Sequence, residues 1–135
     1  MDKDTQSLIR SYYAAFNASD MTAFLGMLDE HVAHDINQGE RQVGREALAR
    51  FMQRMNRCYR EQIVDLVIMT NGDGTRAAAE FIVMGEYLAT DEGLPPARGQ
   101  KYQLPGAALF EVRDGKVARV TNYYNLQEWL RQVGQ

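Results

Sequence analysis

The second half of the sequence alternates between apolar and polar residues over stretches long enough to form extended β-strands. Asn71–Gly74 (NGDG) separates two of these stretches, and Asp114–Gly115 separates another two. Both are strong hairpin-turn sequences, so the strands that they join must be antiparallel neighbours. We therefore expect four long strands, at Gln62–Thr70, Thr75–Ala89, Lys101–Arg113 and Lys116–Tyr124.

The first half of the sequence has the spacing of helices, interrupted by one short strand. The expected elements are a helix at Asp4–Ala18, a shorter helix capped by Ser19 or Asp20 that buries Phe24, Leu25 and Leu28, a strand at His31–Ile36, a helix at Arg45–Arg60 and a last short helix carrying Trp129. Helices followed by hairpin-linked strands predict an α+β fold, with three N-terminal helices on a curved antiparallel sheet and a short C-terminal helix. The length of 135 residues predicts one domain over residues 1–135.

Composition narrows the classes of partner. The net charge of −3 offers no basic surface for nucleic acid or an anionic membrane, and no apolar run is long enough to span a bilayer. The N-terminus lacks the apolar region of a signal peptide, and the single Cys58 cannot form an internal disulfide. We therefore expect a cytoplasmic protein that binds neither nucleic acid nor membrane, with Cys58 as a partly buried structural thiol.

His31–Met52 carries the strongest chemical signal. Asp35 ends the short strand, and the helix that follows presents an apolar face. A carboxylate beside an apolar surface loses solvation and becomes a better proton acceptor, so Asp35 is a candidate general base. The alternative is that Asp35 bonds its own backbone in an Asx-turn. Interior glycines at Gly85 and Gly106 suggest strong sheet curvature, which would leave a conical cavity for a small apolar ligand.

Four segments together resemble the nuclear transport factor 2-like superfamily, and within it the ketosteroid isomerase-related and SnoaL-like proteins. They are YYAAFNASD (12–20), HDINQGERQVGREALARF (34–51), FIVMGEY (81–87) and LFEVRDGKVARVTNYY (109–124). The resemblance covers nearly every element and implies a cystatin-like cone fold. It implies no single reaction, because this superfamily includes isomerases, dehydratases, cyclases, epoxide hydrolases and non-catalytic binders.

The resemblance to ketosteroid isomerases, which use an Asp base opposite a Tyr and a protonated Asp, places catalytic roles on particular residues. It implies Asp35 as base and Tyr12 as oxyanion donor, although a buried Tyr12 could equally be a core aromatic. The second donor position falls on Ala108, which cannot donate a hydrogen bond. Asn122, on the last strand, is the candidate that could supply it instead.

The expected cavity wall follows from the same alternation and resemblance. The residues are Phe51, Met52, Phe81, Val83, Tyr87, Ala108, Phe110 and Tyr124. Four polar residues, Tyr102, Gln103, Tyr123 and Tyr124, line either the mouth of the cavity or a dimer interface, where Tyr is enriched. Long strands leave an outer sheet face that the helices cannot also cover, so we expect a homodimer through that face.

A metal site is not expected. His31 and His34 with Asp35 provide suitable ligand types, but His34 and Asp35 point to opposite faces of a strand and no third ligand is well spaced. Scytalone dehydratase-like proteins use paired histidines facing the pocket, whereas here both histidines are expected near the surface. No Asp–Arg–Asp relay of an epoxide hydrolase is evident.

These observations predict a cofactor-independent acid–base enzyme acting on a small apolar carbonyl compound, of isomerase or cyclase type, through an enolate intermediate. The alternative is a non-catalytic protein of the same fold that binds a small hydrophobic ligand. The missing donor at Ala108 keeps that alternative open.

Overall fold

The structure, a computed structural model, describes residues 2–134. The helices are α1 (Asp2–Ala18), α2 (Met21–Gly26), α3 (Arg45–Cys58) and α4 (Leu126–Val133). The strands are β1 (Leu28–Asp35), β2 (Arg41–Val43), β3 (Tyr59–Thr70), β4 (Arg76–Tyr87), β5 (Lys101–Arg113) and β6 (Lys116–Tyr124). This is the predicted α+β arrangement of three N-terminal helices, a mainly antiparallel sheet and a short C-terminal helix. The predicted bounds of β5 and β6 agree with the structure.

The six strands form one sheet in the order β2-β1-β6-β5-β4-β3. The four long strands after α3 pair antiparallel, as their hairpin turns predict. Two features were not predicted. β1 pairs parallel with β6, and the short strand β2 folds back antiparallel on β1 after the turn at residues 36–40.

Local sequence explains where several elements begin. The Asp20 side chain accepts a hydrogen bond from the backbone N–H of Ala23 and so caps α2, as predicted. Asn125 caps α4 in the same way, through the backbone N–H of Glu128. The prediction that Leu28 belongs to α2 is wrong, because the helix ends at Gly26 and Leu28 starts β1 as a fully buried strand residue.

We define the inner sheet face as the face toward α1 and α3. The apolar residues at alternate positions of each strand lie on this face. Pairing between β3 and β4 is interrupted between Val64 and Val67, where Asp65 has a φ of 54°. Such a bulge bends the strand and increases its twist. Two glycines on the inner face let large rings lie flat on the sheet: a Cβ on Gly106 would meet Phe81 at 2.6 Å, and one on Gly85 would meet Tyr102 at 2.2 Å.

At one end of the sheet, α4 and the segment between β4 and β5 close the structure. Trp129 of α4 lies in edge-to-face contact with Tyr87 and Tyr102, at ring distances of 5.2 and 5.9 Å. Buried Asp91 accepts hydrogen bonds from Arg54 (2.7 Å) and from the Tyr59 hydroxyl (2.8 Å), which ties the segment to α3 and β3. Within residues 2–134, no helix has both the length and the apolar character that crossing a membrane requires.

Candidate functional site

A cavity of about 420 Å³ lies between the inner sheet face and helices α1 and α3. Its wall is mostly aromatic and aliphatic, which suits a small apolar ligand. Several polar side chains interrupt that wall. They include Tyr12, Tyr13, His34, Glu61, Asn122 and Tyr124.

The structure places Tyr12, the expected oxyanion donor, in the cavity wall. Its ring packs edge-on against Phe110 at 5.3 Å and lies 4.7 Å from Phe24. Burial raises the pKa of the Tyr12 hydroxyl, so it stays protonated and can donate a hydrogen bond. No described residue accepts a hydrogen bond from it, which leaves this donor for a ligand. Tyr13 also lines the cavity, and burial raises its pKa as well.

His34 lies in the cavity wall with its side chain buried, so the prediction that both histidines lie near the surface is wrong for His34 and right for His31. Its ring packs edge-to-face on Phe51 at 4.6 Å. Burial lowers the pKa of His34, and the neighbouring Asp35 charge opposes that effect. His34 is therefore uncharged at neutral pH, and its buried Nδ1 has no hydrogen-bond partner among residues 2–134.

Asn122, the candidate second donor, faces the same cavity from β6. It lies directly opposite Ala108 on the neighbouring strand, in the row where the resemblance to ketosteroid isomerases places a second donor. No described residue hydrogen-bonds to its side-chain amide. The amide N–H of Asn122 is therefore free to donate a hydrogen bond to a ligand, which the side chain of Ala108 cannot do.

The sheet register places Tyr12, His34 and Asn122 around the neighbouring residues Phe110 and Val120. Val120 lies opposite Phe110 on β5 and opposite His34 on β1. Asn122 is two residues beyond Val120 and so lies on the same face, while the ring of Tyr12 packs on Phe110. Tyr12, His34 and Asn122 thus converge on one region of the cavity.

Asp35 is not part of this group. Its side chain lies on the outer sheet face, in register with Thr121, and it does not line the cavity. Arg41, its direct cross-strand partner, donates from Nε to Oδ1 at 2.6 Å and from a terminal nitrogen to Oδ2 at 3.0 Å, and Thr121 donates to Oδ2 at 2.6 Å. The Arg41 hydrogen bond, with smaller help from Thr121, lowers the pKa of Asp35 to about 2.

The expected position of Asp35 beside the apolar wall is therefore wrong, and the reason is strand phase. Neighbouring residues of a strand face opposite sides, and Val32 and His34 share the inner face of β1. The signal was present in the sequence, because Val32 and Ile36 are the apolar residues at alternate positions. Asp35 is also not an Asx-turn residue, since its carboxylate binds Arg41 and Thr121.

Most of the predicted wall residues line the cavity. They are Phe51, Met52, Phe81, Val83 and Tyr124. Three predicted wall residues are buried behind it instead. The ring of Phe110 packs under Tyr12, Ala108 lies under the layer of larger side chains, and Tyr87 bonds to the closing segment through its hydroxyl, which donates to the Pro95 carbonyl at 2.7 Å.

A second polar group in the cavity wall was missed. Glu61 of β3 lines the cavity, and the Tyr102 hydroxyl donates to its Oε2 at 2.5 Å. Tyr102 is two strands away and reaches Glu61 across Gly85, which pairs with both residues. Burial raises the pKa of Glu61, and the Tyr102 hydrogen bond partly offsets this. The alternation places Glu61 on the same face as Ile63, but its contact with Tyr102 depends on a register across three strands.

Other features of the sequence have structural roles. Cys58 is a free thiol, and it is fully buried rather than partly buried as expected. Among residues 2–134, no three His, Cys, Asp or Glu side chains lie close enough together to bind a metal ion.

Comparison with known proteins is consistent with this geometry. The sequence profile of the SnoaL-like domain matches residues 9–120. The protein belongs to the SnoaL-like family. No curated protein matches the sequence.

Solved structures similar to this SnoaL-like protein include two that are described as a "putative polyketide cyclase". The one from Pseudomonas putida is 62% identical, with a TM-score of 0.95 over 96% of this chain and 97% of the other. The one from Xanthomonas campestris is 56% identical, with a TM-score of 0.95 over 97% of each chain. A nuclear transport factor 2-like protein from Burkholderia xenovorans is 15% identical, with a TM-score of 0.79 over 98% of each chain, and shows the shared fold alone.

Proposed function

We propose that this SnoaL-like protein removes a proton next to the carbonyl group of a small, largely apolar compound bound in the cavity. The observation that carries the proposal is the convergence of an uncharged, unpartnered His34 with Tyr12 and Asn122 on one region of an apolar cavity. A base, two hydrogen-bond donors and exclusion of water are what enolate formation requires.

In the proposed step, the C–H bond next to the carbonyl breaks and its proton moves to the His34 imidazole. The bonding electrons move to the carbonyl oxygen, which becomes an enolate oxygen held by the Tyr12 hydroxyl and the Asn122 amide. A neutral imidazole has a lone pair for this proton. Asp35, which raises the pKa of His34 from the adjacent position, favours the imidazolium that the step produces.

The enolate can regain the proton at another carbon, which is isomerisation, or attack a second carbonyl, which is intramolecular aldol cyclisation. Neither outcome requires a cofactor. The similarity to the proteins from P. putida and X. campestris favours cyclisation. The second candidate function is binding without turnover, and Ala108 favours it because one donor of the ketosteroid isomerase arrangement is absent.

The test follows exchange of the acetyl protons of para-acetylbiphenyl in D₂O by NMR, with the wild type and with His34→Gln. We expect the substitution to slow exchange about 10²–10⁴-fold, the usual effect of losing a positioned base. The matched control is His31→Gln, the same change at an exposed histidine, which should leave exchange unchanged. Equal exchange in the wild type and His34→Gln would exclude His34 as base, and binding with no exchange in either would favour the binding protein.

A further inference from the structure

We infer that Glu61, oriented by Tyr102, forms a second polar subsite, which binds a hydroxyl group on the substrate at a distance from its carbonyl group. The inference rests on the proposed function, because it concerns the far end of the same ligand. It assigns a substrate class: carbonyl compounds that carry a remote hydroxyl group, such as a phenol.

Glu61 retains an unused hydrogen-bond acceptor. Tyr102 donates to Oε2, and no described residue donates a hydrogen bond to Oε1. No Arg, Lys or His among residues 2–134 forms an ion pair with this carboxyl group, although it lines an apolar cavity. A carboxyl group in such a place is costly unless a donor satisfies it, and a ligand hydroxyl would be such a donor.

The sheet holds Glu61 and Tyr102 in a fixed arrangement. Tyr102 reaches Glu61 only because residue 85 is glycine: a Cβ there would lie 2.2 Å from Tyr102 Cζ and 2.5 Å from its hydroxyl oxygen. Trp129 packs on the other part of the Tyr102 ring and restricts its movement. The carboxyl group of Glu61 is thus held in one orientation by a side chain that is itself fixed.

The separation of Asn122 and Glu61 along the sheet indicates the shape of the ligand. Asn122 lies in the row of Ala79 on β4, and Glu61 lies in the row of Gly85, six residues further along that strand. At about 3.3 Å per residue, the backbone rows are up to about 20 Å apart along the strand. Both side chains line the same cavity, so a ligand that contacts both must span a large part of this separation. The ligand is therefore elongated, with polar groups at both ends.

The test compares two probes with the same acetylbiphenyl frame, para-acetylbiphenyl with either a hydroxyl or a methoxy group on the far ring. Both present the carbonyl to Tyr12 and Asn122, but only the hydroxyl can donate to Glu61. Dissociation constants are measured by calorimetry. We expect the wild type to bind the hydroxyl probe about tenfold or more tightly than the methoxy probe, as for a hydrogen bond to an otherwise unsatisfied acceptor.

In Glu61→Leu the ratio of the two dissociation constants should fall to about one. Tyr102→Phe retains the Glu61 carboxyl group but removes the hydrogen bond that orients it. This variant should keep only part of the preference for the hydroxyl probe. The matched control is Glu86→Leu, the same change at a glutamate that pairs with Arg60 on the outer face, and it should keep the wild-type ratio.

Two results would overturn the inference: a wild-type ratio near one, or a ratio unchanged in Glu61→Leu. Proton exchange on the same probes is scored separately. Exchange that depends on His34 without any hydroxyl preference would overturn this inference and leave the proposed function in place. A hydroxyl preference without exchange would retain the subsite and reject the enzyme. Failure of both probes to bind would reject the substrate class.

Discussion

Asp35→Asn tests whether Asp35 is the general base, as expected from the sequence, or the ion-pair partner of Arg41, as in the structure. The change removes the charge that pairs with Arg41 but retains an oxygen that can accept from Thr121. The pKa of Asp35 is lowered to about 2 from the ordinary 3.8, which corresponds to at most about 2 kcal/mol of folding stability. The side chains of Asp35 and Arg41 are 25% and 54% exposed, so solvent screening reduces this to about 1 kcal/mol.

The assay is thermal unfolding as a function of pH, together with proton exchange at pH 7. A lowered pKa stabilises the folded state above the unfolded pKa, and the effect is lost as the pH falls through the folded one. Asp35→Asn should therefore lower the melting temperature by about 3–5 °C at pH 7 and by progressively less between pH 4 and pH 2. Exchange should fall far less than in His34→Gln, because Asp35 acts on the His34 base only through its charge.

The matched control is Asp114→Asn, the same loss of charge at an exposed turn residue without an ion pair among the described residues. It should change the melting temperature little. A loss of exchange comparable to that of His34→Gln, with the melting temperature unchanged, would show that Asp35 is the base and would refute the reasoning.

Three further predictions concern packing and assembly. Gly85→Ala should destabilise the fold by about 1–3 kcal/mol in urea unfolding, because its Cβ would overlap the Tyr102 ring, whereas Gly72→Ala has no atom within 4 Å and should have little effect. Asp91→Asn should increase proteolysis between β4 and β5, since Arg54 and Tyr59 both bind its carboxylate; cleavage equal to wild type would contradict this. We expect a homodimer through the outer face, so light scattering should give twice 15.4 kDa, and Leu109→Glu should give one chain; a wild-type mass of one chain would reject the dimer.

The fold was predictable because its signals are local. The turns at Asn71–Gly74 and Asp114–Gly115 define which strands are neighbours, and alternation defines their inner faces. The parallel pairing of β1 with β6 was not predictable in the same way, because it joins segments far apart in the chain without a turn to mark it. The cap of α2 at Asp20 was visible, but the end of that helix at Gly26 was not.

The site was predictable only in part. Tyr12 and Asn122 were assigned from the resemblance to ketosteroid isomerases, and both line the cavity. Asp35 was assigned from the resemblance to ketosteroid isomerases, although the pattern of Val32 and Ile36 places His34 on the inner face.

Predicting the contact of Glu61 with Tyr102 requires the register between separate strands, in addition to the face on which each side chain lies. Tyr102 is two strands away from Glu61, and Gly85 between them makes the contact possible. Alternation shows the face on which a side chain lies, but it does not show which side chains of separate strands meet.

The most direct measurement of the central claim is a crystal structure of the protein with an enolate analogue, a phenolate that carries its negative oxygen where the enolate oxygen would be. We predict the analogue in the cavity, its oxygen within hydrogen-bond distance of the Tyr12 hydroxyl and the Asn122 amide, and its reacting edge toward the His34 ring. An analogue on the outer face with its oxygen at Arg41, or one in the cavity with its oxygen turned away from Tyr12 and Asn122, would contradict the claim.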